Sequence, residues 1–446
     1  MALTGLDIFK LLPKTNCGDC GVPTCLAFAM KVAAKQATLQ DCPHVSEEAL
    51  AKLGEATQPP QKLVTIGAGP TALKIGNETV MFRHEEKFHH PSGIGVLVSD
   101  TDELAEKVEK IKALAFERMG EQVRVDTVGL RCESGDAGKL KEAAAHLQEA
   151  LGLPMVLIAG SAAHLEQAAQ ALAETRPLLW ERKGPSDGLI QLAVKARLPI
   201  VLEGDLEKCD ADAQKAKSAG VDEMVLCPGE AGPGDALQFL TQARRAALRA
   251  NYRPLGYPAL VCAWSSDASQ RSLEACHYVA KYAGIVLLDE DRAEYLLPVL
   301  TMRQSVYIDP QVPVQVEAKL YDVGEPDDKS PLLVTTNFSL SFYSVLSEVE
   351  ASRVPARIMA VDTEGTSVLT AWAADKFGPQ QIAETLKKAS ALEKLSEGYR
   401  HPVIPGLVAV ISGELEEETG CAVIVGPKEA SGIPSFLKNE WRNLVS

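Results

Sequence analysis

Residues 155–180 read MVLIAGSAAHLEQAAQALAETRPLLW. Met155–Gly160 is a short, unbroken apolar run, as expected of a strand buried on both faces. Ala162–Thr175 is an amphipathic helical pattern, and Pro177–Trp180 turns apolar again. This is one β/α unit of a parallel sheet. Working outward, the same alternation recurs. The apolar runs are Ile94–Ser99, Val123–Leu130, Met155–Gly160, Pro177–Trp180, Leu198–Glu203, Glu223–Cys227, Ala259–Trp264 and Gly284–Asp289. Helical patterns such as Asp102–Arg118, Gly138–Leu151 and Asp235–Ala250 lie between them. Eight such runs in about 200 residues match a (β/α)8 TIM barrel in count and size. A doubly wound open sheet also alternates, but rarely with so many strands. Acidic residues follow several strand ends: Asp100, Glu133, Glu181, Glu203, Asp205, Asp267 and Asp289 to Asp291. Barrel active sites sit at that end, yet no set of base, nucleophile and oxyanion donor emerges, and no catalytic residue is assigned.

Before the barrel, Val64–Gly76 has a superficial dinucleotide-loop look. Its third glycine is misplaced, Pro70 stands where a helix would start, and no βαβ unit follows. A hairpin closing one end of the barrel is expected instead. His84, Glu85, Glu86, His89 and His90 suggest a metal, but five residues along a helix turn a side chain about 140° away. A surface cluster is the reading. After the barrel, a polar boundary at Val314–Ser330 leads into a second alternating region. Its expected strands are Leu332–Thr335, Ile358–Val361, Leu407–Ile411 and Ala422–Gly426, and its expected helices are Ser339–Ser352, Val368–Phe377 and Gln380–Leu395. This fits a small open α/β sheet, Rossmann- or flavodoxin-like, whose ligands lie outside the carboxyl ends of the strands.

The amino-terminal part carries the clearest chemical signal. Cys17, Cys20, Cys25 and Cys42 follow C-x2-C-x4-C-x16-C, four of the chain's ten cysteines. Gly18, Gly21 and Pro23 curl the first loop, Thr24–Ala37 reads as a helix, and Asp41-Cys42-Pro43 brings the chain back. Structural zinc usually takes two C-x2-4-C pairs. A tight trio plus a remote cysteine followed by proline suits an iron–sulfur cluster better; zinc and disulfides stay as alternatives. A short helix is expected at Ser46–Leu53, then a linker at Glu55–Pro60. The expected segments are 1–57 (cluster module), 58–92 (linker and barrel-closing segment), 93–325 (barrel) and 326–446 (carboxy-terminal α/β domain).

Composition bounds the rest. Net charge is −15 over 446 residues, with 46% hydrophobic and 24% charged residues. An acidic chain is a poor nucleic-acid binder, since that affinity comes from neutralising phosphates, and anionic membranes are disfavoured too. No apolar stretch is long enough to span a bilayer, and Met1–Lys10 does not read as an export signal. A cytoplasmic protein is expected, its six dispersed cysteines (Cys132, Cys209, Cys227, Cys262, Cys276, Cys421) reduced.

The whole chain resembles the family of large (γ) subunits of the corrinoid iron–sulfur protein of the carbon monoxide dehydrogenase/acetyl-CoA synthase system. The residues carrying the resemblance are Asn16-Cys17-Gly-Asp-Cys20-Gly-Val-Pro-Thr-Cys25-Leu-Ala-Phe-Ala-Met30 and Asp41-Cys42-Pro43, with the order of cluster module, barrel and α/β domain. The resemblance implies a [4Fe-4S] cluster on Cys17, Cys20, Cys25 and Cys42 and a cobamide on the last domain. Its contacts are expected at Asn337, Phe338, Leu340, Leu346, Gly365, Thr366, Thr370, Ala371, Trp372, Ala373, Gly426, Gly432 and Ile433. The Asp-x-His-x-x-Gly signature of generic cobalamin domains is missing; Ser367-Val368-Leu369 supplies a Ser-x-Leu, and Gly432 one glycine of a Gly-Gly pair. His401 lacks the signature spacing. The family is described as binding its corrinoid base-off without a histidine ligand, which the missing motif matches. Removing an axial nitrogen eases reduction to Co(I), because that donor stabilises the higher oxidation states.

The implied function is methyl carriage in the reductive acetyl-CoA pathway, as a subunit rather than a stand-alone enzyme. A methyltetrahydrofolate methyltransferase would load the cobalt and acetyl-CoA synthase would unload it. The cluster would reactivate Co(II), and a small subunit would complete a heterodimer on the barrel. A cluster-bearing, pterin-dependent methyltransferase or a plain electron-transfer protein is the alternative.

Overall fold

The computed structural model describes residues 5–33, 37, 39–46, 49, 59–118, 120–309 and 311–444. They fall into two compact units: one ends at Tyr307 and excludes Glu117–Gln122, and the other joins Glu117–Gln122 to Ile308 onward.

The chain opens with helices α1 (Gly5–Leu11) and α2 (Cys25–Ala33). Ile8, Leu12, Val22, Phe28, Ala29, Val32 and Leu39 form a small core with Cys25 and Cys42. So few apolar side chains give little stability alone, and small domains of this kind commonly rely on a metal. The helix expected over Ser46–Leu53 lies outside the described residues except at Ser46 and Ala49, as does most of the expected linker.

A hairpin follows, β1 (Val64–Ile66) antiparallel to β2 (Leu73–Ile75). Next come β3 (Gly93–Ser99), α3 (Leu104–Lys112), a second hairpin of β4 (Ala115–Arg118) and β5 (Glu121–Arg124), and β6 (Thr127–Arg131). The rest of the unit alternates regularly: α4 (Ala137–Leu151), β7 (Met155–Ala159), α5 (Ala162–Ala171), β8 (Leu178–Glu181), α6 (Asp187–Ala196), β9 (Ile200–Glu203), α7 (Leu206–Ala219), β10 (Met224–Cys227), α8 (Pro233–Leu248), β11 (Ala259–Ala263), α9 (Ala268–Ala280), β12 (Ala283–Leu288) and α10 (Ala293–Tyr307). Strands β3, β6, β7, β8, β9, β10, β11 and β12 close in that order into a barrel of parallel neighbours, with β12 returning onto β3. The expected (β/α)8 barrel is therefore present, with each expected run contributing to one of its strands.

The barrel has two cores, as the alternation of side chains along a strand requires. Leu97, Val156, Ile158, Trp180, Val201, Val225, Leu260 and Leu287 point inward. Val96, Val128, Leu130, Leu157, Leu179 and Leu202 point outward to the helices. Val64, Ile66 and Ile75 of the β1/β2 hairpin, each fully buried, join the inner core and so close the barrel's end, as expected from sequence.

Two expectations within this unit are corrected. The run Val123–Leu130 is two elements, broken where Asp126 turns its carboxylate onto the Ile94 N–H at 2.9 Å and pairs with Arg303. The helix expected to reach Arg118 stops at Lys112, because Ala115–Arg118 forms the β4 edge of the hairpin.

The second unit holds β13 (Leu320–Val323), β14 (Leu332–Thr336), α11 (Ser339–Ser352), β15 (Ala356–Val361), α12 (Val368–Ala373), α13 (Pro379–Lys388), β16 (Pro402–Ile404), α14 (Ser412–Thr419) and β17 (Ile424–Val425). The sheet order is β13-β15-β14-β16-β17, parallel except for β13 at the edge. Without β13 this is a flavodoxin-like order, in which the chain winds one way from β14 to β15 and the other way to β16 and β17. Leu407–Ile411, expected as a strand, is a 3-10 turn spanning Gly406–Ile411. Val408 and Ile411 are buried there while Leu407 and Val410 are exposed, a three-residue period rather than a strand's two. The strand is instead Pro402–Ile404, with a proline at its first position, where no ladder donor is needed.

Candidate cofactor sites

The cysteine loop is held in a tight curl by left-handed backbone at Lys14, Asn16, Gly18 and Gly21. The Gly21 N–H donates to the Gly18 carbonyl at 2.8 Å, closing the turn between Cys17 and Cys20. Cys25 is the first residue of α2; Thr24 caps the helix by accepting the Ala27 N–H at 3.1 Å. Cys42 follows the short turn Leu39–Asp41 and donates its N–H to the Leu39 carbonyl. Cys25 and Cys42 are buried in one apolar pocket, Cys20 packs against it, and Cys17 is exposed. Asp19 and His44, not singled out from sequence, meet beside Cys17 at 2.7 Å. The His44 ring and the Cys17 thiol hold the Asp19 carboxyl below its usual range. Four thiols on a curled loop and one returning turn, two of them shielded from water, fit an iron–sulfur cluster.

Three of the dispersed cysteines, Cys209, Cys227 and Cys262, lie in the barrel unit and are buried. Burial pushes the Cys209 thiol up to about 12, and those of Cys227 and Cys262 also rise. Thiols held neutral in a core are unreactive.

A cavity of about 360 Å³ opens where β14 and β16 diverge. Strand ends supply Thr335, Ile404 and Pro405; α11 supplies Leu340, Ser341, Ser344 and Val345; the loop after β17 supplies Gly426 to Ala430. This is the topological switch point, the crevice where open α/β sheets take ligands. Leu340, Leu369, Trp372, Leu407 and Val410 are exposed apolar side chains on elements at this end, Val410 at 74%. Thr336, the last residue of β14, is buried, and its Oγ1 has no partner among the described residues. An apolar crevice with hydroxyls inside and an apolar rim suits a large flat ligand with a polar tail, and a corrinoid fits that description.

The expected contact residues divide. Phe338, Leu340, Gly426 and Ile433 line the cavity. Asn337 is buried and saturated: its Oδ1 accepts from the Thr363 and Gly365 N–H groups at 3.0 and 3.1 Å, and its Nδ2 donates to Gln315 and Asp362. It clasps two strand-end loops together. Gly365, with positive φ, packs so closely on Gln315 and Pro313 that a Cβ would lie 2.6 Å from Gln315. Thr366 bonds back to the Thr363 carbonyl, and Thr370 shares a hydroxyl contact with Ser367. Ala371 is buried in the core beneath α12, and Trp372 and Ala373 are exposed. Leu346 packs on the core of the opposite sheet face, and Gly432 sits against Pro427. Lys428, in the strand-end loop Gly426–Ile433, is exposed at the cavity mouth. His401 lies before β16, its Nδ1 within 3.0 Å of the Ala422 carbonyl. That is the amino end of the strand, whereas the cavity is lined from Val403 through Ile404 and Pro405 at its carboxyl end.

The barrel mouth is occupied by its own side chains. The Arg182 guanidinium lies between the rings of Trp180 and Trp264, 5.3 and 5.6 Å from their centroids. Glu203 accepts from Trp180 Nε1 at 2.8 Å, Arg182 Nε at 3.3 Å and the Lys183 N–H at 2.8 Å. Glu181 takes the Ala162 and Ser186 N–H groups, and Asp100 those of Glu133 and Ser134. Asp205 and Asp267 cap α7 and α9. Asp289 pairs with Arg131, Glu290 with Arg271 and Arg292, and Asp291 with Lys107. The acids noted at the strand ends are thus engaged in holding loops. His84, Glu85, Glu86, His89 and His90 form no metal-ligand group among the described residues.

No helix of the described residues is long and apolar enough to cross a membrane. A family model described as CO dehydrogenase/acetyl-CoA synthase delta subunit matches residues 63–437, and one described as "Putative Fe-S cluster" matches residues 12–44. Over 444 residues the chain is 42% identical to the corrinoid/iron-sulfur protein large subunit of Moorella thermoacetica, covering 98% of this chain and 99% of that one. It is 34% identical over 455 residues to the acetyl-CoA decarbonylase/synthase complex subunit gamma of Methanothermobacter thermautotrophicus, with 98% and 99% covered. Among solved structures, a dihydropteroate synthase from Xanthomonas albilineans in complex with 7,8-dihydropteroate aligns with 49% of this chain and 94% of its own, at 16% identity and a TM-score of 0.38.

Proposed function

Because the chain belongs to the family of corrinoid/iron–sulfur protein large subunits, we propose that it is a methyl carrier between methyltetrahydrofolate, served by a separate methyltransferase, and acetyl-CoA synthase. A small subunit completes the heterodimer, and the assembly works in the cytoplasm. When bound, a cobamide supplies a cobalt that takes up and gives up a methyl group, and a [4Fe-4S] cluster supplies single electrons at low potential.

The chain's own residues supply the positioning. Cys17, Cys20, Cys25 and Cys42 hold the cluster in the segment 1–57. The segment 58–92 closes the barrel, and the barrel is the platform. The last domain, 326–446 with β13 added, takes the cobamide over the rim of Leu340, Trp372 and Leu407. Ser341, Ser344 and Lys428, which line the crevice, would offer hydrogen bonds and positive charge to its polar groups. Asn337, Gly365 and Thr366 set the loops that shape the rim; Phe338, Gly426, Gly432 and Ile433 shape the crevice; and Leu346, Thr370, Ala371 and Ala373 lie behind or beside it. His401 precedes β16, holds its Nδ1 by the Ala422 carbonyl and is not among the residues lining the crevice, which agrees with a base-off cobamide without a protein imidazole.

The single observation that carries this reading is the cavity with its exposed apolar rim at the switch point of the second sheet. The filled barrel mouth disfavours a self-contained pterin methyltransferase, which would need that space for substrate. Iron and cobalt content of the purified chain, read with its visible spectrum, tests the proposal. Both metals, with corrinoid bands over a broad cluster shoulder, are expected; iron without cobalt after reconstitution with cobamide defeats it. Cys20→Ala then separates the two roles. Transfer of a methyl group already loaded should survive, while reductive reactivation is lost.

A further inference from the structure

Asn16 meets Cys25 twice. Its backbone N–H donates to Cys25 Sγ at 3.4 Å, and its side-chain Oδ1 accepts the Cys25 N–H at 2.8 Å. Cys25 opens α2, so its N–H is one of the donors a helix leaves unpaired at its start. The Asn16 amide satisfies that donor and, in doing so, fixes the approach of its own N–H to the sulfur. The geometry requires left-handed backbone at residue 16, where φ is 51°, a region asparagine tolerates better than most residues. Cys25, the residue whose sulfur receives this bond, is buried, 6% exposed. An electrostatic bond to a shielded sulfur is stronger than one competing with water.

We infer that Asn16 is a positioning residue which sets the cluster's reduction potential through Cys25. The inference rests on the cluster assignment above. An N–H donor withdraws negative charge from a ligating thiolate, favours the reduced and more negative cluster, and so raises the potential. Without the side-chain clasp, residue 16 is free to rotate its N–H away, and the potential falls.

The test uses the full-length protein with its cluster, whose presence in the wild type is first established from iron, sulfide and the electron paramagnetic resonance of the reduced state. A wild type without a cluster defeats the assignment itself. Given the cluster, Asn16→Gly is the informative variant, because glycine keeps the backbone N–H and allows the left-handed conformation without strain, so that only the side-chain clasp is removed. Its reduced-to-oxidised ratio at a fixed poise should fall about tenfold, equivalent to about 59 mV for one electron. A fall of threefold or more supports the inference; a smaller change, or a rise, overturns it. Should Asn16→Gly fail to hold the cluster, wild-type protein labelled with ¹⁵N in asparagine alone decides. A ¹⁵N hyperfine coupling on the reduced cluster is expected, and its absence overturns the inference. A purely structural asparagine would leave the potential unmoved in Asn16→Gly.

Discussion

The barrel mouth and the rim of the carboxy-terminal sheet are both carboxyl ends of parallel strands, the place where α/β folds put ligands. They are finished in opposite ways. At the mouth, Arg182 fills the space between two indoles, and Glu181 and Glu203 are consumed by neighbouring N–H groups. At the rim, a crevice stays open, Thr336 keeps a buried hydroxyl without a partner among the described residues, and Leu340, Leu407 and Val410 face solvent. A fold's usual site therefore says little by itself. What distinguishes a scaffold from a receptor is whether its polar groups are already satisfied from within.

The sharpest way to break this contrast is Glu203→Ala. Among the described residues it leaves Arg182 the exposed Glu230 as its acidic partner, and it strips the Trp180 indole and Lys183 amide of their acceptor. Breaking a buried, hydrogen-bonded charge pair typically costs about 3–5 kcal/mol. Denaturant unfolding should register that loss, while cobamide uptake by the native protein is unchanged. Altered uptake with unaltered stability would mean the mouth is a site after all.

Ser341→Trp is the converse. Ser341 lines the crevice from α11 and is half-buried, so a larger ring fills the opening without disturbing the core. Cobamide uptake, measured by corrinoid absorbance after desalting, should fall at least about tenfold, or 1.4 kcal/mol. Thermal unfolding should stay within a few degrees.

The contrast was only partly legible in the chain. Barrel strands buried on both faces read as continuous apolar runs, and so did β14 and β15. The β4/β5 hairpin was missed because Ala115–Arg118 and Glu121–Arg124 alternate with charges and bury little. Prolines at 402 and 405 mask strand β16, and the apolar run Leu407–Ile411 imitates a strand although its burial repeats every three residues. The cysteine spacing announced the cluster because ligands must share one centre. The crevice gave no such announcement. Its lining comes from α11, β14, β16 and the loop after β17, which meet only because β16 lies next to β14. Sequence spacing does not encode that order. Nor does it reveal that Asn337, a plausible contact by position, has every hydrogen bond taken.

A milder perturbation sharpens the barrel side. Asp205 lies two residues past the end of β9 and caps α7 by accepting the Lys208 N–H at 2.8 Å. If it is a cap and nothing more, Asp205→Ala costs about 1 kcal/mol of barrel stability and Asp205→Asn restores most of it. Loss of methyl transfer in both variants, at unchanged cobamide content, would show a chemical role for a strand-end acid.

The smallest effect concerns pH. Hydrogen bonds from Arg292, foremost among several causes, hold the Glu290 carboxyl below its ordinary value of 4.5, against the opposing pull of burial. A depressed folded-state value means the ionised form favours folding. That contribution is complete above about pH 4.5 and fades as pH falls through the lower folded-state value. Arg292 is half exposed, so solvent screening keeps the term under about 1 kcal/mol. In a series of unfolding curves from neutral pH downward, Glu290→Gln should lack part of the acid-side loss that the parent protein displays. Rim chemistry should not follow that limb: cobamide retention at the same pH values should be the same in both proteins. If retention tracked the Glu290 titration, the mouth would be coupled to the crevice, and the separation of scaffold from receptor would fail.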